Sequence, residues 1–351
     1  MVRDDAQRLD RCLASVKGHV DAICVLDTGS KDNSVEVARK HGAKVHEIEW
    51  PNNFGEALNV LLAMVETPWT VRLDSDEWFE SGQASQLRRA TEMREASGFY
   101  MIRRDLGVEG NFAEIEVMRL WRTHPDIQYV GAVHENIPHA SIEKAFPGKK
   151  ILRTPLFFWH DGYTTDVKGK AMRNIQLLKG ELEKHPEKIE IRAMIATTYK
   201  GTGEPEGPEY LEEFIDHFLS VDLDNPLPQV ALALAMYMDS MPEWRVQEDR
   251  TGELIRRAVK LYPKNPAILY FAGILERRRG NMEAALKRFL KLEALVEMGD
   301  YDRSMSIPQE FVGDRLWNAL GYVSTQLGRQ DVADRAGRRL AMAKQSRPRP
   351  S

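Results

Sequence analysis

The first half of the chain alternates short apolar runs with amphipathic helical patterns. The apolar runs lie at residues 22–26, 44–48 and 69–73, and the helical patterns lie at residues 6–17, 34–41 and 56–65. One face of the first helical pattern carries Leu9, Cys12, Leu13 and Val16. Strands that alternate with helices are typical of a parallel sheet with crossover helices. The pattern therefore predicts an α/β fold, and later strands at residues 98–103 and 116–121 are compatible with antiparallel pairing.

After about residue 165 the strand pattern gives way to a helical repeat. The dipeptides His185-Pro186, Asn225-Pro226 and Asn265-Pro266 recur 40 residues apart, each ahead of a helical pattern. The last repeat is the clearest, with helices predicted at residues 267–279 and 282–297. This period is typical of tetratricopeptide-like hairpins, which bury a core by stacking and leave a concave face. The sequence therefore predicts an α/β domain at residues 1–165, an all-α repeat domain at 166–345 and a disordered tail at 346–351.

Composition and charge exclude several classes of protein. The 351 residues are 42% hydrophobic and 29% charged, and the net charge of −4 gives no reason to expect general nucleic-acid or membrane binding. The two cysteines, Cys12 and Cys24, are too few for a disulfide framework. The charged N-terminus lacks an apolar stretch and no 18 apolar residues run together, so we expect a cytoplasmic protein.

Two Asp-x-Asp triplets occur in very different contexts. Asp74-Ser75-Asp76 follows directly on the predicted strand at residues 69–73, at the edge of the sheet where α/β folds bind ligands. Two carboxylates at such a bend can hold a hard divalent cation and leave positions for phosphate oxygens. Asp222-Leu223-Asp224 instead precedes Asn225-Pro226 between helices, where we expect a solvated loop and a helix cap.

A second polar segment, Asp27-Thr28-Gly29-Ser30, follows the predicted strand at residues 22–26. One interpretation is an Asx turn, with Ser30 or Asp32 capping the next helix. The other is that Asp27, at the carboxyl end of a strand, accepts hydrogen bonds from a nucleotide base. The two interpretations are compatible, and both stay open.

Together these segments resemble family 2 glycosyltransferases of the GT-A fold, a Rossmann-like nucleotide-sugar-binding fold. The resemblance rests on residues 27–34 (DTGSKDNS), 49–59 (EWPNNFGEALN), 73–77 (LDSDE), 119–122 (RLWR), 131–135 (GAVHE) and 159–163 (WHDGY). It covers about residues 2–185, and it is strongest to the subgroup with a helical repeat tail. It implies an inverting transfer from a nucleoside-diphosphate sugar, commonly UDP-linked, assisted by Mn²⁺ or Mg²⁺.

The resemblance also implies roles for single residues. Asp27 would bind the base, Asp74 the ribose or the waters of the metal, and Asp76 the metal itself. His160 falls where many enzymes of this fold place a histidine that contacts the metal or the diphosphate, although it could simply pack among aromatic neighbours. Arg72 and Asn59 complete the candidate donor-binding set. An arginine beside a strand, such as Arg72 or Arg103, is also often part of a structural ion pair.

Sugar transfer requires a group that takes the proton of the acceptor as the acceptor attacks the anomeric carbon. His134-Glu135 is the best local candidate, with Glu135 as the base. The alternative is that Glu135 is a loop carboxylate or pairs with Arg119 or Arg122. In that case Asp161 or Glu77 is the next candidate base.

One expected element is absent from the sequence. The family usually begins with an apolar strand that ends in a Val-Lys-Asn-Glu-like segment, and Val2-Arg3-Asp4-Asp5 resembles that ending without the strand. A central strand is costly to omit, because its neighbours would expose unpaired edges. We therefore expect either a start further upstream or a fold that lacks this strand and part of its base pocket.

Other functions and several acceptors fit parts of the sequence. A nucleotidyltransferase would need a glycine-rich basic loop after its first strand, whereas residues 2–9 contain no glycine. A non-catalytic repeat scaffold would not be expected to keep Asp74, Asp76 and His160. The acceptor could be a protein or peptide bound through the repeats, a saccharide, a lipid or a small molecule. Only Arg277-Arg278-Arg279 and the tail favour a nucleic-acid acceptor, and the repeats could also mediate homodimerisation.

Overall fold

A computed structural model describes residues 1–107, 112–133, 135–161, 167–305 and 307–345. The chain divides into two compact units, which we call the first unit (Met1–Leu106 with Ile115–Thr165) and the second unit (Gly107–Glu114 with Asp166–Ser351). The predicted tail at residues 346–351 and the candidate His134 lie outside the described residues. Within the described ranges, no helix is long and apolar enough to cross a bilayer.

The first unit mixes short helices with strands. Its helices are α1 (Ala6–Val16), α2 (Ser34–Lys40), α3 (Phe54–Leu62), α4 (Leu87–Thr91) and α5 (His139–Ala145). The strands that lie wholly or partly in it are β1 (Cys24–Asp27), β2 (Lys44–Glu47), β3 (Trp69–Val71), β4 (Glu77–Trp78), β5 (Ala96–Leu106), β6 (Phe112–Arg122) and β7 (Lys150–His160). Each helix and strand predicted between residues 6 and 73 is present, with ends that shift by a few residues.

These strands form two sheets, and among the three strands predicted between residues 22 and 73 only β1 and β2 pair in parallel. β1 and β2 pair in parallel, with Cys24 opposite Lys44. The other sheet has the order β3-β6-β5-β7-β4. In it β3 pairs antiparallel with β6, and β4 pairs antiparallel with β7, whereas β5 and β7 are parallel. The antiparallel pairing expected for the later strands is confirmed for β6, which pairs with β3.

Helix α1 packs against the hydrophobic side chains of both sheets. The four residues predicted for its apolar face are all buried. Leu9 and Leu13 pack in one cluster with Val25 of β1, whereas Val16 packs in another with Phe99 and Phe158 of the larger sheet. The amphipathic pattern of one helix therefore predicts the element that connects the cores of the first unit.

The second unit is built almost entirely from helices. They are α6 (Val167–Lys184), α7 (Ile189–Gly201), α8 (Gly207–Ser220), α9 (Pro228–Asp239), α10 (Glu243–Val246), α11 (Asp249–Leu261), α12 (Pro266–Arg278), α13 (Met282–Met298), α14 (Asp314–Gln326) and α15 (Gln330–Gln345). A short strand β8 (Ile307–Pro308) pairs with residues 113–114. α12 and α13 form the predicted hairpin, and one continuous hydrophobic core runs from α7 to α15. The fold class, a sheet-containing domain followed by tetratricopeptide-like helical repeats, is confirmed.

The start signals of the repeats differ in their chemistry. Asn265 is fully buried, and its side-chain oxygen caps α12 by accepting a hydrogen bond from the Ile268 N–H at 3.1 Å. Asp222 and Asp224 lie exposed between helices, so the predicted solvated loop is confirmed. The predicted helix cap there is wrong, because the N-cap of α9 is Leu227. α9 begins at Pro228, which has no N–H group to cap.

Gly273 tests the packing of the hairpin. A Cβ atom at this position would lie 2.6 Å from Cε1 of Phe289, whose ring is fully buried. We expect Gly273→Ala to lower the free energy of unfolding by about 1–3 kcal/mol, because the ring has no room to move. Urea unfolding followed by circular dichroism measures this loss.

The matched control is Gly321→Ala on α14. Its Cβ would lie 3.7 Å from the Cβ of Ala336, an ordinary van der Waals distance. The helix propensity of alanine should then stabilise this variant by up to about 1 kcal/mol. If both variants unfold at the same urea concentration, the close contact with Phe289 is wrong.

Candidate active site

The loop between β3 and β4 presents Asp74, Ser75 and Asp76 in a closed turn. The Glu77 N–H donates to the Asp74 carbonyl at 3.0 Å, and the Asp74 N–H donates to Oε2 of Glu77 at 2.9 Å. The Ser75 hydroxyl donates to Oδ2 of Asp5 at 2.8 Å. These contacts fix the backbone of the triplet from both sides, so its carboxylates are positioned before any ligand binds.

Two arginines hold the Asp74 carboxylate. Nη2 of Arg72 lies 2.9 Å from Oδ1, and Nη2 of Arg119 lies 3.0 Å from Oδ2. Burial alone would raise the pKa of Asp74, but the two guanidinium charges hold that pKa well below its usual range. Asp74 is therefore a fixed anion whose two oxygens are both already engaged.

The same arginines bind two further carboxylates. Nη2 of Arg119 donates to Oε1 of Glu77 at 2.6 Å, and the Glu77 side chain is completely buried. Nη2 of Arg72 donates to Oε1 of Glu135 at 2.8 Å. From the sequence we expected Arg72 to bind the donor, with a structural ion pair as the alternative. In the structure Arg72 forms ion pairs with Asp74 and Glu135. Glu135 does have an arginine partner, but that partner is Arg72.

His160 lies between two acidic residues. It ends β7, where it is opposite Asp105 of β5 and Glu77 of β4. Its Nδ1 lies 2.8 Å from Oδ1 of Asp105, and its Nε2 lies 3.7 Å from Oδ2 of Asp76. A histidine that is held through one ring nitrogen presents the other in a fixed orientation, as metal-binding histidines commonly do.

The environments of Asp76 and Asp105 differ in charge. Burial raises the pKa of Asp76, and the neighbouring charge of Asp74 adds to that rise. Burial would also raise the pKa of Asp105, but the hydrogen bond to His160 and the guanidinium of Arg103 lower it instead. Nε of Arg103 donates to Oδ1 of Asp105 at 2.7 Å. Arg103 is therefore the structural partner of Asp105. The sequence had pointed to Arg103 but not to Asp105.

The acidic residues fit a divalent cation in part. No group of three His, Cys, Asp or Glu side chains that could hold a metal occurs among the described residues. Asp76 and His160 nevertheless supply two donors, whereas Asp74 is held by arginines and does not fit as a direct ligand. Mg²⁺ usually takes one or two carboxylates and completes its shell with phosphate and water. These residues therefore suit an ion that binds together with a diphosphate.

Asp27, at the end of β1, forms the predicted turn with one carboxylate oxygen and leaves the other unused. Its Oδ1 accepts hydrogen bonds from the N–H groups of Gly29 and Ser30, both at 2.9 Å, which confirms the Asx turn. Its Oδ2 is buried without a hydrogen-bond partner in the described part of the chain. An unsatisfied buried oxygen is costly, and a ligand N–H would remove that cost.

Residues 2–5 connect the loop after β1 to the loop after β3. The Asp4 N–H donates to the hydroxyl of Ser30, in the loop after β1, at 2.9 Å. The Asp5 N–H donates to the Ser34 hydroxyl at 3.2 Å, while the Asp5 carboxylate accepts from Ser75. The two polar loops that the sequence singled out therefore lie at one place in the first unit.

Two other candidate residues have structural partners. The side-chain amide of Asn59 on α3 donates to the Tyr129 carbonyl at 3.0 Å and accepts from the Tyr129 N–H at 2.8 Å. Asn59 thus fixes the backbone near the site and is not among the residues brought together at the carboxylates. Asp161 forms ion pairs with Arg8 and Arg11 of α1.

Residues 2–145 match the model of the family described as Glycosyl transferase family 2. The match assigns residues 2–145, and not the whole chain, to a family 2 glycosyltransferase domain. The matched range contains Asp27, the triplet at 74–76 and Glu135, whereas His160 lies beyond it.

Two relatives are each longer than the region that they share with this chain. A TPR repeat-containing protein of Synechococcus elongatus is 28% identical over 299 residues, which are 82% of this chain and 63% of that protein. The SPbeta prophage-derived glycosyltransferase SunS of Bacillus subtilis is 24% identical over 198 residues, or 53% of this chain and 45% of SunS. The chain therefore spans less than two thirds of either relative. The structure of S. aureus TarS 1-349 overlaps 86% of this chain and 90% of its own at 15% identity, with a TM-score of 0.36 too low to establish likeness.

The buried pair of Arg119 and Glu77 should contribute strongly to stability. Arg119→Met would remove the guanidinium that faces Oε1 of the fully buried Glu77 and would leave Oδ2 of Asp74 with only its longer bond to Arg72, at 3.3 Å. We expect a loss of about 3–5 kcal/mol in the free energy of unfolding, measured by urea denaturation. Arg88→Met is the control, because the Arg88–Asp21 pair is exposed on both sides and should cost less than about 1 kcal/mol. Similar losses in both variants would refute the buried network.

Proposed function

We propose that the protein is an inverting glycosyltransferase that moves a sugar from a nucleoside-diphosphate sugar to an acceptor. The proposal rests on one observation: the loop after β1 and the loop after β3 lie close together in a domain that matches family 2. One loop contributes the unsatisfied Oδ2 of Asp27, and the other contributes Asp76 beside His160. A nucleotide needs a polar contact for its base and a positive centre for its diphosphate; Asp27 offers the first, and a cation held by Asp76 and His160 would supply the second.

Asp27 is the proposed contact for the base. Its free carboxylate oxygen is an acceptor only, so it selects a base with an N–H at its edge. The imide N–H of uracil meets that requirement, as do N–H groups of the other bases, and the UDP-linked donor is proposed from the resemblance to family 2 glycosyltransferases. Because Oδ1 is fixed by two backbone N–H groups, the orientation of Oδ2 is fixed as well.

Asp76 and His160 are the proposed protein donors to Mn²⁺ or Mg²⁺. When bound, the cation would neutralise the charge that develops on the leaving diphosphate. Asp105 fixes the imidazole of His160 through Nδ1, and Arg103 in turn holds Asp105. Asp74 would not bind the cation directly. Its hydrogen bonds to Arg72 and Arg119 hold the turn that carries Asp76 in place.

Glu135 is the proposed base. In the reaction an acceptor oxygen bonds to the anomeric carbon, the bond from that carbon to the diphosphate oxygen breaks, and the acceptor proton passes to the carboxylate. Attack from the side opposite the diphosphate inverts the anomeric configuration. Arg72 holds Oε1 of Glu135 at 2.8 Å, which orients the carboxylate for that step.

The second unit is the proposed binding site for a protein or peptide acceptor. Stacked helical repeats present extended surfaces that suit such partners. Several large side chains of this unit are unusually exposed, among them Trp244 at 67% and Tyr322 at 49%. Exposed aromatic residues of this kind are enriched at protein interfaces.

Donor hydrolysis tests the metal assignment. We expect slow release of free sugar when the protein is incubated with Mn²⁺ and UDP-sugars. Asp76→Ala should reduce the rate at least about 100-fold, because a main protein ligand of the cation is lost. The control is Asp224→Ala, which changes the exposed triplet Asp222-Leu223-Asp224 in the second unit and should leave the rate unchanged. Equal rates in the two variants would show that the cation is held elsewhere.

The role of Glu135 can be separated from donor binding. Glu135→Gln keeps the size and a hydrogen-bond acceptor for Arg72 but cannot take a proton. We expect kcat for hydrolysis or transfer to fall about 10²–10⁴-fold while the Kd for UDP stays the same. Calorimetric titration with UDP and Mn²⁺ gives the Kd. A weaker Kd with little change in kcat would instead show that Glu135 only positions Arg72.

A further inference from the structure

The segment that carries Glu135 is closed by a backbone bridge. The Val130 N–H donates to the Asn136 carbonyl at 2.9 Å, and the Asn136 N–H donates to the Val130 carbonyl at 3.1 Å. We call residues 131–133 and Glu135, which lie between these two partners, the Glu135 loop. The loop turns at Gly131, whose φ of 100° lies in the left-handed region that favours glycine. The bridge fixes the ends of the loop, so its orientation must come from other contacts.

Helix α3 supplies those contacts through backbone N–H groups of its first turn. Such groups have no carbonyl partner within their own helix. The Phe54 N–H donates to the Ala132 carbonyl at 3.0 Å, and the Gly55 N–H donates to the Gly131 carbonyl at 3.2 Å. Two donors at the start of α3 are thus satisfied by carbonyls of the Glu135 loop.

One turn further along α3, Asn59 holds the chain just before the loop. Its amide bonds both the N–H and the carbonyl of Tyr129. The guanidinium carbon of Arg72 lies 5.1 Å from the centroid of the Tyr129 ring, a cation–π distance. Arg72 also donates to Oε1 of Glu135 at 2.8 Å. Contacts from α3 therefore determine where the Glu135 loop lies relative to Arg72.

Gly55 is buried where α3 meets the loop. A Cβ atom at this position would lie 2.7 Å from the carbonyl oxygen of Gly131 and 3.6 Å from its carbon. The first distance is well below van der Waals contact, and a backbone carbonyl cannot rotate away as the end of a side chain can. The φ of Gly55 is not positive, and alanine is otherwise favoured over glycine within a helix. The close approach of the loop, and not the conformation of α3, therefore requires glycine here.

We propose that Gly55 is a positioning residue for the proposed base: because it has no side chain, α3 can bind the carbonyls of the Glu135 loop and thereby set the carboxylate of Glu135 against Arg72. This inference rests on the proposed function, which gives Glu135 its task. A base must lie within hydrogen-bond reach of the proton that it takes, and a displacement of about 1 Å can cost about 100-fold in rate. α3 thus influences the chemical step without contributing a reacting group.

The kinetics of Gly55→Ala test this role. We expect kcat for hydrolysis or transfer to fall about 10–100-fold, because the added methyl group displaces the loop. The Kd for UDP with Mn²⁺ should change less than about twofold, because Asp27 and Asp76 are not moved. In a Glu135→Gln background the same substitution should lower kcat by less than about twofold, since the loop acts through Glu135. An unchanged kcat in the single variant, or a full additional loss in the double variant, would overturn the proposal.

Asn53→Ala is the matched control at the same end of α3. Oδ1 of Asn53 caps the helix by accepting a hydrogen bond from the Glu56 N–H at 3.1 Å. Loss of this cap should lower Tm, but it places no new atom against the loop. We expect kcat to stay within about twofold of the unaltered protein. A loss of kcat equal to that of Gly55→Ala would show that both variants act by weakening α3, and the proposal would be wrong.

Amide hydrogen exchange tests the contact itself, in the unaltered protein and without any activity. We expect the amides of Phe54 and Gly55 to exchange at least about 10-fold more slowly than in an unstructured peptide of the same sequence. Unprotected amides would refute the contact and the role of Gly55, whatever the function of Glu135. Protected amides with no loss of kcat in Glu135→Gln would instead refute the proposed base, and with it the role of Gly55, while the contact remains.

Discussion

Arg119 binds Asp74 and Glu77 at the same time, and these residues lie on either side of the Ser75-Asp76 turn. Without that guanidinium, two carboxylates would face each other in a poorly solvated place, where like charges repel strongly. With it, the turn is rigid and Asp76 is kept near His160. The position of the candidate metal donors thus depends on an ion pair that touches neither of them.

Local pattern was sufficient to predict most single elements. The spacing of Leu9, Cys12, Leu13 and Val16 predicted α1, and the 40-residue period predicted the hairpin of α12 and α13. Sheet order could not be predicted in the same way. Whether β3 pairs with a parallel neighbour or with β6, some 50 residues later, depends on tertiary packing that leaves no local signal.

The candidate site shows the same division. Asp27 and the triplet at 74–76 stand out because strand ends in α/β domains bind ligands. The partner of each side chain could not be predicted, because ion pairs join residues far apart in sequence. Arg72 and Glu135 are 63 positions apart, and Asp105 meets His160 across 55 positions. Asp105 carries no motif of its own, so only the pairing of β5 with β7 reveals its place.

Arg72 links two groups that have different tasks in the proposed reaction. Its guanidinium is divided between Asp74, at the turn, and Glu135, the proposed base. Loss of the Arg72 guanidinium would disturb both carboxylates at once, so the turn and the proposed base cannot be altered independently at this position.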